Sequence, residues 1–229
     1  ASTARGLPPL DLLGREWGWE IEAPQDLLKK AAAALVNGDP IGLLQEAGEP
    51  WPPSGQTLPP NLLPFPSLEE LAHAPIHFAL LITDRLLPDG WTGLRGKVIL
   101  YRPKSLVVGI GCRRGVSAQE VQDFVEEVFQ RHRLSLKSLH ALATVDLKEK
   151  EEGLKKAARA WGIPLRLLSR RELEQVADLV GPSAARKRFG LPSVSEASAL
   201  LAAGARRLLV SKEKTGRLTV AIARREVWA

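Results

Sequence analysis

The chain has 229 residues, of which 45% are hydrophobic and 25% charged, the balance of a globular protein with room for more than one domain. Its 32 Lys and Arg residues exceed its 26 Asp and Glu residues, so the net charge is +6, which favours an anionic partner. Only 5% of the residues are aromatic, and the basic residues are not concentrated in one run, so nucleic acid is not the expected partner. No run of about eighteen apolar residues and no signal peptide is present, and a single cysteine excludes an internal disulfide, so we expect a cytoplasmic protein without a membrane partner.

The first part of the chain predicts helices followed by a small α/β unit. In chain order we predict helices over residues 10–17 and 26–36, a short strand over 41–45, a proline-rich loop and edge segment over 49–75 with one short helix near 67–71, and strands over 76–83 and 97–101. We expect residues 1–48 to be the tail of an N-terminal domain with linking helices. Residues 49–103 are then a middle α/β domain that takes in the strand at 41–45.

Residues 104–229 predict a larger C-terminal domain in which strands and helices alternate. After an opening strand from Leu106 we predict helices over 117–132, 148–161, 171–177 and 193–203, and strands over 139–145, 164–168, 207–211 and 218–223, the last two joined by a hairpin turn at 214–216. This alternation predicts the α/β class, with a mostly parallel, mixed sheet between covering helices in a three-layer domain.

The junction after the opening strand is the strongest candidate for a binding site. The strand ends in a glycine turn with two arginines, and Ser117 with Glu120 has the spacing of a capping box that starts the next helix. Backbone N–H groups and the helix dipole at such a junction favour an anion. We therefore predict an anionic ligand at Gly111, Cys112, Arg113, Arg114 and Gly115; the alternative is that this junction only connects two elements.

Two phosphate-binding motifs are excluded at this turn, and the role of Cys112 stays open. The glycines are not spaced as G-x-G-x-x-G, no acidic residue closes the next strand at the offset of a dinucleotide site, and the Walker pattern is absent. A helix N-terminus and two arginines would lower the pKa of the Cys112 thiol and favour a nucleophile. However, no histidine pairs with it in the sequence, and a lone cysteine at a strand end is usually a packing residue.

The acidic and basic run from Asp146 to Glu152 follows the second strand of this domain. Acidic residues in the first turn of a helix normally complement its dipole, which accounts for the run without any function. The run also stands at the carboxyl end of a strand, where ligands collect in α/β sheets. Asp146, Lys148 and Glu151 are therefore candidates for the same site, with Lys148 binding a carboxylate and Glu151 moving a proton.

Ser193 and Glu196 present the same two interpretations at the last predicted helix. Their spacing is again that of a capping box, which would explain both residues structurally. They are also candidates for substrate binding, because that helix begins at the same predicted sheet edge. The four histidines show no metal-ligand spacing, so we predict no metal site.

Four sequence blocks of the C-terminal part resemble the cobalamin-biosynthesis family CbiG and its relative CobE. In order, the blocks are residues 107–115, 141–154, 190–200 and 209–224. The middle region is also similar to the same family at residues 34–42, 81–85 and 100–106. Members of the hydrolase type carry a further N-terminal domain, and residues 6–13 resemble the segment that leaves it, so we expect this chain to be part of a longer protein.

The resemblance implies an enzyme of the anaerobic pathway that opens the δ-lactone of cobalt-precorrin-5A and releases acetaldehyde, giving cobalt-precorrin-5B. For that reaction we hypothesise that Glu151 is the acid or base, and that Lys148 with the N–H groups of the glycine turn stabilises negative charge. Arg113 and Arg114 would clamp a carboxylate of the macrocycle. Because the cobalt travels with the substrate, no cofactor and no protein metal ligand are expected.

Two other functions stay open from the sequence. One is a non-catalytic carrier of corrinoid intermediates, which the CobE-like resemblance allows, and the other, weaker, is a basic module for nucleic acid. Besides the cobalt-corrinoid intermediate, other enzymes of the cobalamin pathway are candidate partners.

Overall fold

The computed structural model describes residues 9–89, 94, 96–180, 190 and 192–226. The chain divides after Lys104 into two compact units, each with its own five-stranded sheet. No helix within the described ranges is long and apolar enough to cross a membrane.

The first unit is a mixed sheet with helices. Its elements are β1 (Glu20–Glu22), α1 (Gln25–Asn37), β2 (Ile41–Gln45), β3 (Leu62–Pro64), α2 (Leu68–His73), β4 (Phe78–Ile82) and β5 (Val98–Arg102). The strand order is β1-β5-β4-β2-β3, with β1 antiparallel to β5 and the other neighbours parallel. α1 ends at Asn37, one residue later than predicted, because Gly38 takes a left-handed φ of 89° and its N–H donates to carbonyl oxygens of the last turn.

Two expectations for this unit need correction, and one strand was missed. The helix predicted over 10–17 is a series of turns with a short 3₁₀ helix, Arg15–Trp17, because Gly14 and Gly18 adopt left-handed φ angles. β1 was not predicted. The expected boundary at residue 48 separates no units within the described residues, because β2 pairs with both β3 and β4 and β1 pairs with β5 in the same sheet.

A buried arginine fixes the added strand β1. The side chain of Arg102 is 2% exposed, and its Nε donates to Glu22 Oε1 at 2.8 Å. Its Nη1 donates to the carbonyl oxygens of Thr83 at 3.1 Å and Arg85 at 2.6 Å. A buried guanidinium is tolerated only when its donors are satisfied, so these contacts account for its place at the end of β5.

The second unit is the three-layer α/β domain that the sequence predicts. Its elements are β6 (Leu106–Cys112), α3 (Ala118–Arg131), β7 (Leu139–Val145), α4 (Glu152–Ala160), β8 (Leu165–Leu168), α5 (Arg170–Glu174), α6 (Val194–Ala203), β9 (Leu208–Lys214) and β10 (Leu218–Arg224). The strand order is β8-β7-β6-β10-β9. β6, β7 and β8 are parallel, and β10 runs antiparallel to both of its neighbours, so four of the five strands point the same way.

The two faces of this sheet carry different packing. Large apolar residues of α3 and α4, including Phe124 and Leu154, pack with Val108 and Ile110 on one face. On the other face α6 lies on small residues. A Cβ on Gly109 would lie 1.8 Å from the carbonyl oxygen of Ser195, so the glycine lets the α6 backbone approach the central strand.

We predict that Gly109→Ala lowers the free energy of unfolding by about 3 kcal/mol, because the added methyl group meets backbone atoms that cannot rotate away. Gly216→Ala is the matched control, since a Cβ there meets nothing within 4 Å. Urea unfolding measures both variants. Equal stability of Gly109→Ala and the parent chain would contradict the close packing of α6 on β6.

Candidate functional site

The carboxyl-terminal edge of β6 and β7 brings most of the predicted site residues to one place. β6 ends at Cys112, which is paired with Leu218 at the start of β10. Two side chains fix this edge: Thr144 donates to the carbonyl oxygen of Ile110 at 2.7 Å, and Thr219 donates to that of Gly111 at 3.3 Å. The sheet edge is therefore a well-defined platform for the turn that follows.

Glu151 binds the glycine turn directly. The N–H of Gly115 donates to Glu151 Oε2 at 2.9 Å, and Lys148 Nζ lies 3.6 Å from Glu151 Oε1. Both side chains are largely removed from solvent, with 20% of Lys148 and 13% of Glu151 exposed. The sequence predicts an anionic ligand at this turn; in the structure the turn binds the chain's own Glu151 carboxylate.

Local backbone geometry explains this contact. Gly115 has a φ of 72°, which favours glycine. The chain after β7 forms a short 3₁₀ helix, Asp146–Lys148, and α4 starts at Glu152, later than predicted, with Glu151 just before it. A Cβ on Gly153 would lie 2.0 Å from the carbonyl oxygen of Val116, so the start of α4 sits directly against the turn. This close packing carries Glu151 to the N–H of Gly115.

The capping box predicted at Ser117 is confirmed, and it extends to an arginine that sequence reasoning missed. Ser117 accepts from the N–H of Glu120, and Glu120 Oε2 accepts from the N–H of Ser117. Hydrogen bonds from the backbone and side chain of Ser117 to the Glu120 carboxylate, together with the nearby Arg217, hold the pKa of Glu120 below its usual value. Arg217, in the loop between β9 and β10, donates from Nη1 to Glu120 Oε1 at 3.2 Å and from Nη2 to the carbonyl oxygen of Arg114 at 2.8 Å.

Cys112 lies beside this cluster but does not have the environment of a nucleophile. Its side chain packs against the apolar core under α3 and α4. Burial raises the pKa of the thiol, and the opposing effects of Lys148 and Arg217 do not overcome it. Because the thiolate is the reactive form, the structure supports the packing interpretation.

Arg113 and Arg114 present exposed side chains at the turn. Their backbone groups are used by the protein: the N–H of Arg113 donates to the carbonyl oxygen of Arg217 at 2.9 Å. The N–H groups of Arg113 and Gly115 are thus already bonded within the protein, so an anionic ligand at the turn would meet the exposed arginine side chains instead. Asp146 is exposed at the start of the 3₁₀ helix, and its carbonyl oxygen accepts from the N–H of Glu149.

The capping box expected at Ser193 and Glu196 is wrong. Ser193 precedes α6 but makes no side-chain cap. Glu196 instead accepts from the backbone N–H of Lys212 at 3.1 Å, and Lys212 Nζ donates to Ser193 Oγ at 3.4 Å. Because α6 packs on β9, Glu196 bonds to the backbone of Lys212 and not to the nearby N-terminus of its own helix. Ser193 and Glu196 are both buried. α6 begins at the same sheet edge as the glycine turn, since a Cβ built on Gly111 would lie 3.8 Å from the Cβ of Val194.

The described part of the chain shows no cluster of three or more His, Cys, Asp or Glu side chains that could hold a metal ion. The cations and carboxylates at the edge are suited instead to binding a polycarboxylate and to moving a proton at a carbonyl group.

The single cysteine is a built-in reporter of this cluster. The charge of Glu151 raises the pKa of Cys112, whereas the charges of Lys148 and Arg217 lower it. We therefore predict that Glu151→Gln lowers the pKa of Cys112, and that Lys148→Gln and Arg217→Gln each raise it. The smallest of the three changes is expected for Arg217. The rate of thiol alkylation as a function of pH measures the shift.

Lys155→Gln is the matched control for this titration, because Lys155 pairs with Glu152 on the exposed side of α4. A Glu151→Gln profile identical to that of the parent chain would contradict the placement of Glu151 beside the thiol.

The comparisons with known proteins cover both units. Residues 106–223 match the family model described as cobalamin synthesis G C-terminus, and residues 8–103 match the cobalamin biosynthesis central region. The chain is 34% identical over 224 residues to cobalt-precorrin-5A hydrolase of Priestia megaterium, covering 97% of this chain and 60% of that protein. It is 26% identical over 136 residues to the probable cobalt-precorrin-5A hydrolase of Methanocaldococcus jannaschii, covering 55% of this chain and 42% of that protein.

Among solved structures, that of CobE, a protein from the cobalamin biosynthetic pathway, is similar with a TM-score of 0.50 and 38% sequence identity. The match covers 52% of this chain and 90% of CobE. The chain thus spans about 60% of the length of its curated relative from Priestia megaterium. Both family models and the identity over nearly the whole chain show that it belongs to the cobalamin-biosynthesis G (CbiG) family, of which it carries the central region and the C-terminal domain.

Proposed function

We propose that this chain is the central and C-terminal part of a cobalt-precorrin-5A hydrolase. The observation that carries the proposal is the 34% identity, over 97% of the chain, to a protein of that name. The reaction opens the δ-lactone of cobalt-precorrin-5A and releases a two-carbon unit as acetaldehyde, giving cobalt-precorrin-5B of the anaerobic pathway. We place the reaction in the cytoplasm.

The charge at the sheet edge supports this substrate. Cobalt-precorrin-5A is a macrocycle fringed with carboxylates, and the chain has a net charge of +6. Arg113 and Arg114 are exposed at the turn and can each bind a carboxylate with two parallel hydrogen bonds. The same edge is bordered by Asp146 and by the start of α6. We propose that Asp146, Ser193 and Glu196 also contact the substrate. The proposed binding surface beneath the substrate is formed by Gly111, Cys112 and Gly115.

Glu151 is the proposed base. In lactone hydrolysis a water oxygen adds to the carbonyl carbon, and Glu151 takes the proton that this water loses. Lys148, within 3.6 Å of Glu151, is placed to stabilise the negative charge that develops on the carbonyl oxygen. The ring C–O bond then breaks to give a carboxylate and a hydroxyl group. A base then removes the proton of this hydroxyl group, its carbon leaves as the aldehyde carbon of acetaldehyde, and the electron pair of the broken C–C bond stays on the macrocycle.

In the proposed mechanism, side chains of the protein perform this chemistry and no bound cofactor takes part. The cobalt ion belongs to the substrate. Other enzymes of the pathway, which must supply cobalt-precorrin-5A and take up cobalt-precorrin-5B, remain candidate partners.

A second candidate function is that of a carrier which binds corrinoid intermediates without turning them over. The similarity to CobE favours it, because that protein is matched over 90% of its length by 52% of this chain. Titration with a cobalt-corrinoid intermediate, followed by absorbance, tests both corrinoid functions together. A spectral shift at micromolar protein is expected, and its absence would exclude both.

We predict that the chain releases acetaldehyde from cobalt-precorrin-5A, and that Glu151→Gln lowers the rate by at least about a hundredfold, because an amide cannot accept the proton. Coupled detection of acetaldehyde with an NADH-dependent alcohol dehydrogenase measures the rate. Glu152→Gln is the matched control: Glu152 is the next residue, is exposed, and pairs with Lys155.

Full activity in Glu151→Gln would remove the assignment of the base. Tight binding of the corrinoid by the parent chain without any acetaldehyde would instead favour the carrier function for this part of the protein.

We also predict that Arg113→Ala with Arg114→Ala weakens corrinoid binding about tenfold or more, since a charge-assisted contact to a carboxylate is lost. Arg159→Ala is the control, because Arg159 is an exposed arginine in the last turn of α4, at the far end of that helix from Glu151. Absorbance titration gives both dissociation constants. Unchanged affinity in the double variant would show that the arginines at the turn do not clamp the substrate.

A further inference from the structure

The peptide unit between Arg114 and Gly115 is held at both ends by ionised side chains. Its carbonyl oxygen accepts from Arg217 Nη2 at 2.8 Å, and its N–H donates to Glu151 Oε2 at 2.9 Å. The C=O and N–H groups point to opposite sides of one planar unit. Turning this peptide over would therefore break both hydrogen bonds at once.

The two contacts also reinforce each other. A cation on the carbonyl oxygen polarises the amide and makes its N–H a better donor, as in other chains of hydrogen bonds. Gly115, at a φ of 72°, imposes little backbone preference of its own, because glycine adopts either sign of φ. The orientation of the peptide is thus set by what binds its two ends.

Arg217 is itself fixed in place by the capping box of α3. Its Nη1 donates to Glu120 Oε1 at 3.2 Å, while Glu120 Oε2 accepts from the N–H of Ser117 at 2.7 Å. Its own carbonyl oxygen accepts from the N–H of Arg113 at 2.9 Å. Two nitrogens of one guanidinium bind two different acceptors, which the single ammonium of a lysine reproduces poorly.

From this geometry we infer that Arg217 is a positioning residue for Glu151, acting through the peptide between Arg114 and Gly115. The inference rests on the proposed function, in which Glu151 is the base. Arg217 fixes the N–H of Gly115, this N–H fixes one oxygen of Glu151, and the other oxygen faces Lys148. Arg217 acts on the rate of the chemical step and contributes little to substrate binding.

The remaining charged and titratable groups around Glu151 define the competing effects. Lys148 faces it from the 3₁₀ helix, and Cys112 faces it from β6. Glu152 is the charged neighbour at the start of α4 and is paired with Lys155. Loss of Arg217 leaves the ion pair between Glu151 and Lys148 in place. We therefore expect the Glu151 carboxylate to become less well oriented but to stay at the site.

The first arm of the test observes the peptide itself. The ¹H–¹⁵N spectrum of the parent chain should show the amide proton of Gly115 shifted downfield by its carboxylate acceptor, and Glu151→Gln should reduce that shift. Arg217→Gln should reduce it as well, and Arg217→Lys should restore it in part. Arg131→Gln is the matched control, because Arg131 bridges Glu127 and Glu213 at the opposite end of α3.

The second arm measures steady-state kinetics with cobalt-precorrin-5A. Arg217→Gln should lower kcat about tenfold with KM changed by less than about twofold, since a misplaced catalytic group costs rate while binding is retained. Arg217→Lys should recover part of kcat, and Arg131→Gln should match the parent chain.

The two arms separate the failure of this inference from the failure of the proposed function. An unchanged Gly115 amide in Arg217→Gln overturns the inference, whatever the activity. A lost amide shift with unchanged kcat also overturns it, as does a rise in KM at constant kcat, which would make Arg217 a substrate contact. If the parent chain releases no acetaldehyde under any condition, the proposed function and the catalytic part of the inference fail together, while the amide shifts still decide whether Arg217 orients the peptide.

Discussion

The second unit depends on how closely the start of α4 lies against the turn after β6. Gly153 makes that approach possible, because any side chain there would meet the carbonyl oxygen of Val116. The approach places the carboxylate of Glu151 on the N–H of Gly115 and beside the ammonium of Lys148. Removing a carboxylate from most of its water is costly unless it is paired and hydrogen-bonded, and here it has both kinds of partner. The same constraint that closes the fold thus also fixes the proposed base.

The rest of the sheet edge is built to keep this arrangement rigid. The hydroxyl groups of Thr144 and Thr219 bind carbonyl oxygens of β6, and α6 lies on the opposite face through the glycine at position 109. A carboxylate held on strands and helix ends by satisfied hydrogen bonds, as the proposed base is here, loses little freedom when a ligand binds. The side chains of Arg113 and Arg114 are exposed at the turn, where the proposed function has them bind substrate carboxylates.

How far the sequence predicts this structure depends on whether the signal is local. α3 was predicted within one or two residues, because the apolar stripe including Val121 and Phe124 and the capping box at Ser117 are signals within one segment. β1 carries no such pattern and forms because its residues pair with β5 and Arg102 binds Glu22. Each of these outcomes follows from where the stabilising contact lies along the chain.

The candidate site shows the same division. The shared edge of Gly115, Lys148 and Glu151 follows from parallel strands, and the sequence predicts it. The role of Glu196 does not follow, because its spacing to Ser193 fits a cap while its carboxylate binds the backbone of Lys212, 16 positions away. Arg217 reaches Arg114 across 103 positions through the pairing of β10 with β6, and no local pattern marks it.

The most direct test of the account is the position of bound substrate, measured in a crystal structure of the Glu151→Gln variant with cobalt-precorrin-5A. The account predicts the lactone carbonyl beside residue 151, with one water between them at hydrogen-bonding distance of about 3 Å, and substrate carboxylates on Arg113 and Arg114. A macrocycle bound with its lactone remote from the turn after β6 would contradict it.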